Sequence, residues 1–177
     1  MSSNVLARVA GWSSILSVLV FVVSFILTGL NSGKDTPLTT VLFLVSNVLI
    51  VPVFYALYVF HRAQAQMIAL IALILGTISM VLALFAPTPT SNPLLFQASS
   101  ALFGIAILIF GYLGFQNAKM PRALAISAIL IGVVALAATA LALSSNAMSD
   151  MLGLVLIILY LVWALWLGWL FLKGKLL

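Results

Sequence analysis

Cysteine is absent from this chain, histidine occurs once, and acidic residues occur only twice in 177 positions. Each shortage removes a class of chemistry. Without cysteine there are no disulfides, no thiolate nucleophile and no cysteine-ligated metal or cluster. A single histidine, His61, cannot supply bis-histidine haem ligation, no carboxylate lies near it in sequence to complete a metal site, and beside Arg62 it is expected at the interface. Asp35 and Asp150 fall in separate short loops, too dispersed to act as an acid/base pair around a nucleophile. The expectation is a chain with no metal, no cofactor and no enzymatic activity of its own. Charge of either sign is scarce, at 5% of residues against about 25% in an ordinary soluble domain. The net charge of +5 is not the footprint of a nucleic-acid partner, because the basic residues stand singly or in pairs beside apolar runs.

What fills the chain instead is hydrocarbon. The hydrophobic fraction is 66%, and the apolar residues come in runs of about twenty, the length that crosses a core about 30 Å thick. Lipid cannot satisfy an exposed backbone, so such runs are read as spanning helices. Six are expected, at about 10–30, 38–60, 67–86, 94–115, 123–143 and 151–172, forming one all-α membrane domain over residues 1–177. The breaks are polar or proline-rich: Asn31 to Pro37, His61 to Gln66, Pro87 to Pro93, Gln116 to Arg122 and Ser144 to Asp150. The first run is too long for a signal peptide and lacks a small-residue cleavage pattern, so it is expected to be retained as the first helix.

Under the six-span count, Arg8, Arg62, Lys119, Arg122, Lys173 and Lys175 fall on one side, and Lys34, Asp35 and Asp150 on the other. Cytoplasmic loops carry the excess of Lys and Arg, which places both termini in the cytoplasm of a cell (inner) membrane. Tyr55, Tyr58, Tyr112, Trp166 and Trp169 cluster near the cytoplasmic ends of the even spans, where amphipathic rings favour the interface.

A small-residue register recurs in the odd spans. Ala69, Ala72, Gly76, Ser79, Ala83 and Ala86 alternate by three and four in the third, and Ala125, Ala128, Gly132, Ala135, Thr139 and Ala142 repeat them 56 residues later. The first span carries a weaker version in Ala10, Ser13, Ser17 and Ser24. Pro37-Leu38 and Pro93-Leu94 keep the same 56-residue offset before the second and fourth spans. Three tandem, parallel helix hairpins of about 56 residues are therefore expected. Gly76 and Gly132, with Gly104 and Gly111 of the fourth span, are the expected points of close packing, since small faces are how helices associate in lipid.

No span contains Asp, Glu, Lys, Arg or His, the groups on which proton relays and ion coupling usually depend. The polar residues left are uncharged. Asn47 lies near the middle of the second span, one turn before Pro52, whose missing donor is expected to kink the helix. Asn47, Pro52, Gln97 near the outer end of the fourth span, and Trp163 deep in the sixth are the candidate lining of a ligand cavity, if one exists. The blander roles are interhelical bonding for Asn47, bundle shape for Pro52, the interface for Gln97 and packing for Trp163.

In hydropathy and loop style, over its whole length, the chain resembles the small, uncharacterised six-helix membrane proteins of bacteria, a resemblance that implies no activity. Mitochondrial carriers also use three hairpins, but their charged motif at the ends of odd helices is missing. Six helices in so short a chain also suggest the substrate-binding subunits of energy-coupling-factor transporters, without a motif to support the comparison. The leading expectation is a non-catalytic protein acting by association in the lipid bilayer, as a subunit or stabilising component of a membrane assembly or as a homo-oligomer. The alternative is a binding or transport protein for a small neutral or lipophilic molecule, which a cavity reaching Asn47 would favour.

Overall fold

A computed structural model of the chain describes residues 3–31, 33–86, 92–144 and 148–176. Those residues form α1 (Ser3–Leu30), α2 (Pro37–Phe85), α3 (Pro93–Gln116), α4 (Arg122–Leu143) and α5 (Met148–Leu172). All five are long and apolar enough to cross a membrane, and no strand occurs among the described residues.

The second helix is too long to be one rod. Its 49 residues would extend about 74 Å at 1.5 Å per residue. The helical torsions break once, at Ala65 (φ −154°, ψ 72°), and the chain doubles back there. A Cβ added to Gly76 would lie 2.9 Å from the Phe54 ring, although a straight helix would hold the two about 33 Å apart. The arms 37–64 and 66–85 therefore lie side by side. The break lies within the expected stretch His61 to Gln66, although helix persists through Gln64, about four residues past the expected end of the second span, and Pro52 sits inside a stretch of helical torsions.

Local signals set the helix starts. Thr36 caps α2 in a capping box: its Oγ1 accepts from the Thr39 N–H at 3.2 Å, and its own N–H donates to Thr39 Oγ1 at 2.8 Å. Asn92 caps α3 through Oδ1, which accepts from the Leu95 N–H at 3.2 Å. A proline occupies the first turn in both cases, where its missing donor costs nothing.

The helices form a closed ring in which each packs on its chain neighbours and α5 returns to α1. The expected small faces are the buried ones: Ala69, Ala72, Gly76, Ser79 and Ala83 on α2, and Ala125, Ala128, Gly132, Ala135 and Thr139 on α4. At the α3–α4 seam a Cβ on Gly132 would come within 2.6 Å of Leu108 Cβ and 2.7 Å of Gly104 O, and one on Gly111 within 2.8 Å of Ile129 N. Ring closure uses a pair that the repeat pattern does not contain, Gly11 and Gly168, where an added Cβ on either would lie 2.9 Å from the other's carbonyl oxygen. The exterior is apolar, with Leu19, Val45, Ile74, Val133 and Ile158 exposed, as expected where the solvent is lipid tails.

Candidate functional site

The ring is not filled evenly. At the end where α1 stops and α5 starts it encloses a cavity of about 700 Å³, within the range of small-molecule sites. Every helix contributes. From α1 come Phe21, Ser24, Phe25 and Thr28; from the first arm of α2, Thr39, Phe43, Ser46, Asn47 and Ile50; from its second arm, Ser79, Met80 and Ala83. Helix α3 adds Phe96, Gln97, Ser99, Ser100 and Phe103, α4 adds Ala138 and Ala142, and α5 lines it from Ser149 to Tyr160. Asp150 to Tyr160 covers ten residues of helix, a depth of about 15 Å. Asp35 and Asp150 stand at the exposed end of the wall.

Rings close the deep end. Phe21 meets Tyr160 edge-on at 6.4 Å, and Phe103 meets the same tyrosine edge-on at 5.8 Å. Tyr160 is held in place by a hydrogen bond shared with Ser17 at 3.2 Å. Beyond this floor the rings continue as packing: Phe103 on Phe54, Phe54 stacked on Phe110, and Phe110 stacked on His61. His61, expected at the interface, is fully buried there, and neither ring nitrogen has a hydrogen-bond partner among the described residues.

Most hydroxyls in the wall are already committed. Ser24 Oγ donates to Thr39 O at 2.8 Å, and Ser46 Oγ to Phe43 O at 2.7 Å. Ser79 and Ser99 clasp α2 to α3, each hydroxyl donating to the other's carbonyl oxygen at 2.9 Å. The amides differ. Asn47 Nδ2 donates to Phe43 O in its own helix at 2.9 Å, leaving Oδ1 without a partner among the described residues. No bond ties Asn47 to a neighbouring helix. Gln97 and Ser100 likewise have no partner among those residues, so each retains hydrogen-bonding capacity facing the cavity.

Of the four candidate lining residues, the structure brings Asn47 and Gln97 to the cavity. Pro52 lies half-buried and outside its wall. Trp163 lies about one turn below Tyr160, buried, and its Nε1 has no partner among the described residues. The residues that sequence reasoning missed are Phe21, Phe43, Phe103 and Tyr160. A phenylalanine inside an apolar run carries no signal of its own.

Chemically, the arrangement can hold a molecule. Besides the Tyr160 phenol at its floor, the ionisable groups among its described lining residues are the two aspartates at the mouth, and among the described residues no cluster of His, Asp or Glu could hold a metal ion. No protein-family model, no curated protein and no solved structure matches the chain.

Proposed function

We propose that this chain is a multi-pass membrane protein that binds a small lipophilic molecule in the cavity reaching Asn47. The observation that carries the reading is the cavity itself: about 700 Å³, walled by all five helices, mostly apolar, and furnished with the Gln97 amide and the Asn47 Oδ1, which keep bonding capacity. The association reading drew its motive from small-residue faces. Those faces are occupied within the chain, Gly132 against Leu108 and Gly76 against Phe54, which leaves the lipid-facing exterior without them.

The two arms of α2 are read as two crossings, six in all, since each arm reaches the length of about 20 residues that a bilayer core requires. With that count the basic excess of Arg8, Arg62, Lys119, Arg122, Lys173 and Lys175 puts both termini in the cytoplasm and the cavity mouth on the opposite side. A tandem repeat is supported by the pair Phe54 and Phe110. They lie 56 residues apart, both are fully buried, and they stack on each other at 6.1 Å.

The test is mass spectrometry of the full-length chain extracted from its native membrane into nanodiscs. One small molecule travelling in fixed stoichiometry, and lost from an Ala138→Trp variant that fills the cavity, is the expected result. Recovery with a stoichiometric protein partner and no small molecule would return the chain to the association class.

A further inference from the structure

We propose that the cavity takes a lipophilic cation, an apolar body carrying a permanent positive charge such as a quaternary ammonium or phosphonium group. This rests on the binding reading above and narrows it to a ligand class. Three independent features of the wall agree.

The first is charge. Asp35 and Asp150 line the cavity, and no Lys, Arg or His does; Lys34, beside Asp35 in sequence, is not part of the wall. Asp150 lies in the first turn of α5. A cleft of one sign between low-dielectric walls concentrates ions of the other. An anion would find neither a cationic side chain nor a donor array.

The second is the arrangement of rings. Phe21, Phe25, Phe43, Phe96, Phe103 and Tyr160 all face the cavity, and they do not lie in one plane. Phe21 meets Phe43 at 50°, Tyr160 meets Phe21 at 75° and Phe103 at 74°. The rings line the cavity at differing mutual angles, and an aromatic face attracts a cation.

The third is that most hydroxyls of the wall are already bonded, although Asn47 Oδ1, Gln97 and Ser100 keep capacity. Ser24, Ser46, Ser79 and Ser99 have spent their protons on carbonyl oxygens. A polyhydroxylated or zwitterionic ligand would lose more hydrogen bonds to water than this wall returns. A permanent lipophilic cation needs almost none, and the unpartnered Asn47 Oδ1 offers it the negative end of an amide dipole.

The experiment is equilibrium binding of three probes to the full chain in nanodiscs of zwitterionic lipid, corrected by empty nanodiscs. The probes are tetraphenylphosphonium, tetraphenylborate of nearly the same shape, and neutral triphenylphosphine oxide. The cation is expected to bind at least about tenfold more tightly than either. Asp35→Asn and Asp150→Asn are each expected to weaken the cation, and the double variant to bring the ratio to the anion near one. The wild-type ratio needs no variant and stands even where a variant misfolds. Binding of all three without preference would overturn the cation assignment and leave the binding reading intact. Binding of none would overturn both, and a preference undiminished in the folded double variant would overturn the role of the two aspartates.

Discussion

Glycine makes opposite contributions at the two ends of this bundle. In the closed half and at mid-depth, Gly11, Gly168, Gly111 and Gly132 sit where an added Cβ would meet neighbouring backbone atoms within 3 Å. In the open half, Gly153 and Gly29 would find nothing within 4 Å. The large side chains divide in the same way. Phe54, Phe110, Leu57, Ile107, Leu124 and Leu167 are fully buried in the closed half, whereas the inner faces around the cavity carry Ser24, Ser46, Ala83, Ala138 and Gly153. Small residues alone therefore do not bring helices together. They do so where the facing helix fills the space, with a second small residue as at Gly104 and Gly132 or with a ring as at Gly76 and Phe54. Elsewhere a small residue leaves room.

That contrast is sharpest under substitution at the seam. Gly132→Leu should cost about 3 kcal/mol, because the new side chain meets Leu108 and the Gly104 backbone, neither of which can move without separating α3 from α4. Phe110→Ala should cost a similar amount, about 3 kcal/mol, through the void left between Phe54 and His61. Reversible unfolding by denaturing detergent would measure both.

In the open half the same class of change should barely register on stability. Asn47→Leu removes only a bond within its own helix, so stability should change by under about 1 kcal/mol. Affinity for the bound molecule should fall about tenfold, about 1.4 kcal/mol, as the amide oxygen leaves the deep wall. Titration of the purified variant reads this directly, and an unchanged affinity would move the binding site away from Asn47. Gly153→Leu is the counterpart of Gly132→Leu: it should shift stability by no more than about 0.8 kcal/mol, towards greater stability through helix propensity, while reducing the volume open to ligand. If it destabilised as much as Gly132→Leu, the open half would not be open. The smallest effect is expected from Ser79→Ala, about 0.6 kcal/mol for one interhelical bond in lipid, measured in the same unfolding series.

The sequence made the packing faces legible and left the cavity hidden, for a physical reason. A helix has one period, so small residues at alternating steps of three and four must share a face, and Ala69 to Ala83 and Ala125 to Thr139 are buried as that spacing requires. A void has no period. It depends on how far apart six inner faces stand, which no single run of residues encodes. Asn47 and Gln97 were visible because amides are conspicuous in apolar runs, but Phe21 and Phe103 resemble their neighbours in every respect except where the fold puts them. His61 beside Arg62 looked interfacial, since nothing in sequence places Phe110 against its ring. The turn at Ala65 falls inside the break expected at His61 to Gln66, but its exact position was not legible, because alanine is the strongest helix former and the polar residues before it remain helical.

The Ser79–Ser99 clasp carries one more consequence, in the currency of sequence drift. Each hydroxyl donates to a backbone carbonyl at 2.9 Å, and the two hydroxyl oxygens meet only at 3.4 Å, a longer and weaker contact. Losing either side chain leaves the opposite bond standing, and it orphans nothing, since the released oxygen still has its helical donor. The two positions are therefore free to vary one at a time through Ser, Ala or Gly, held only by a shared limit on size. In relatives of this chain they should drift independently, without the paired replacement that a side-chain-to-side-chain bond would impose.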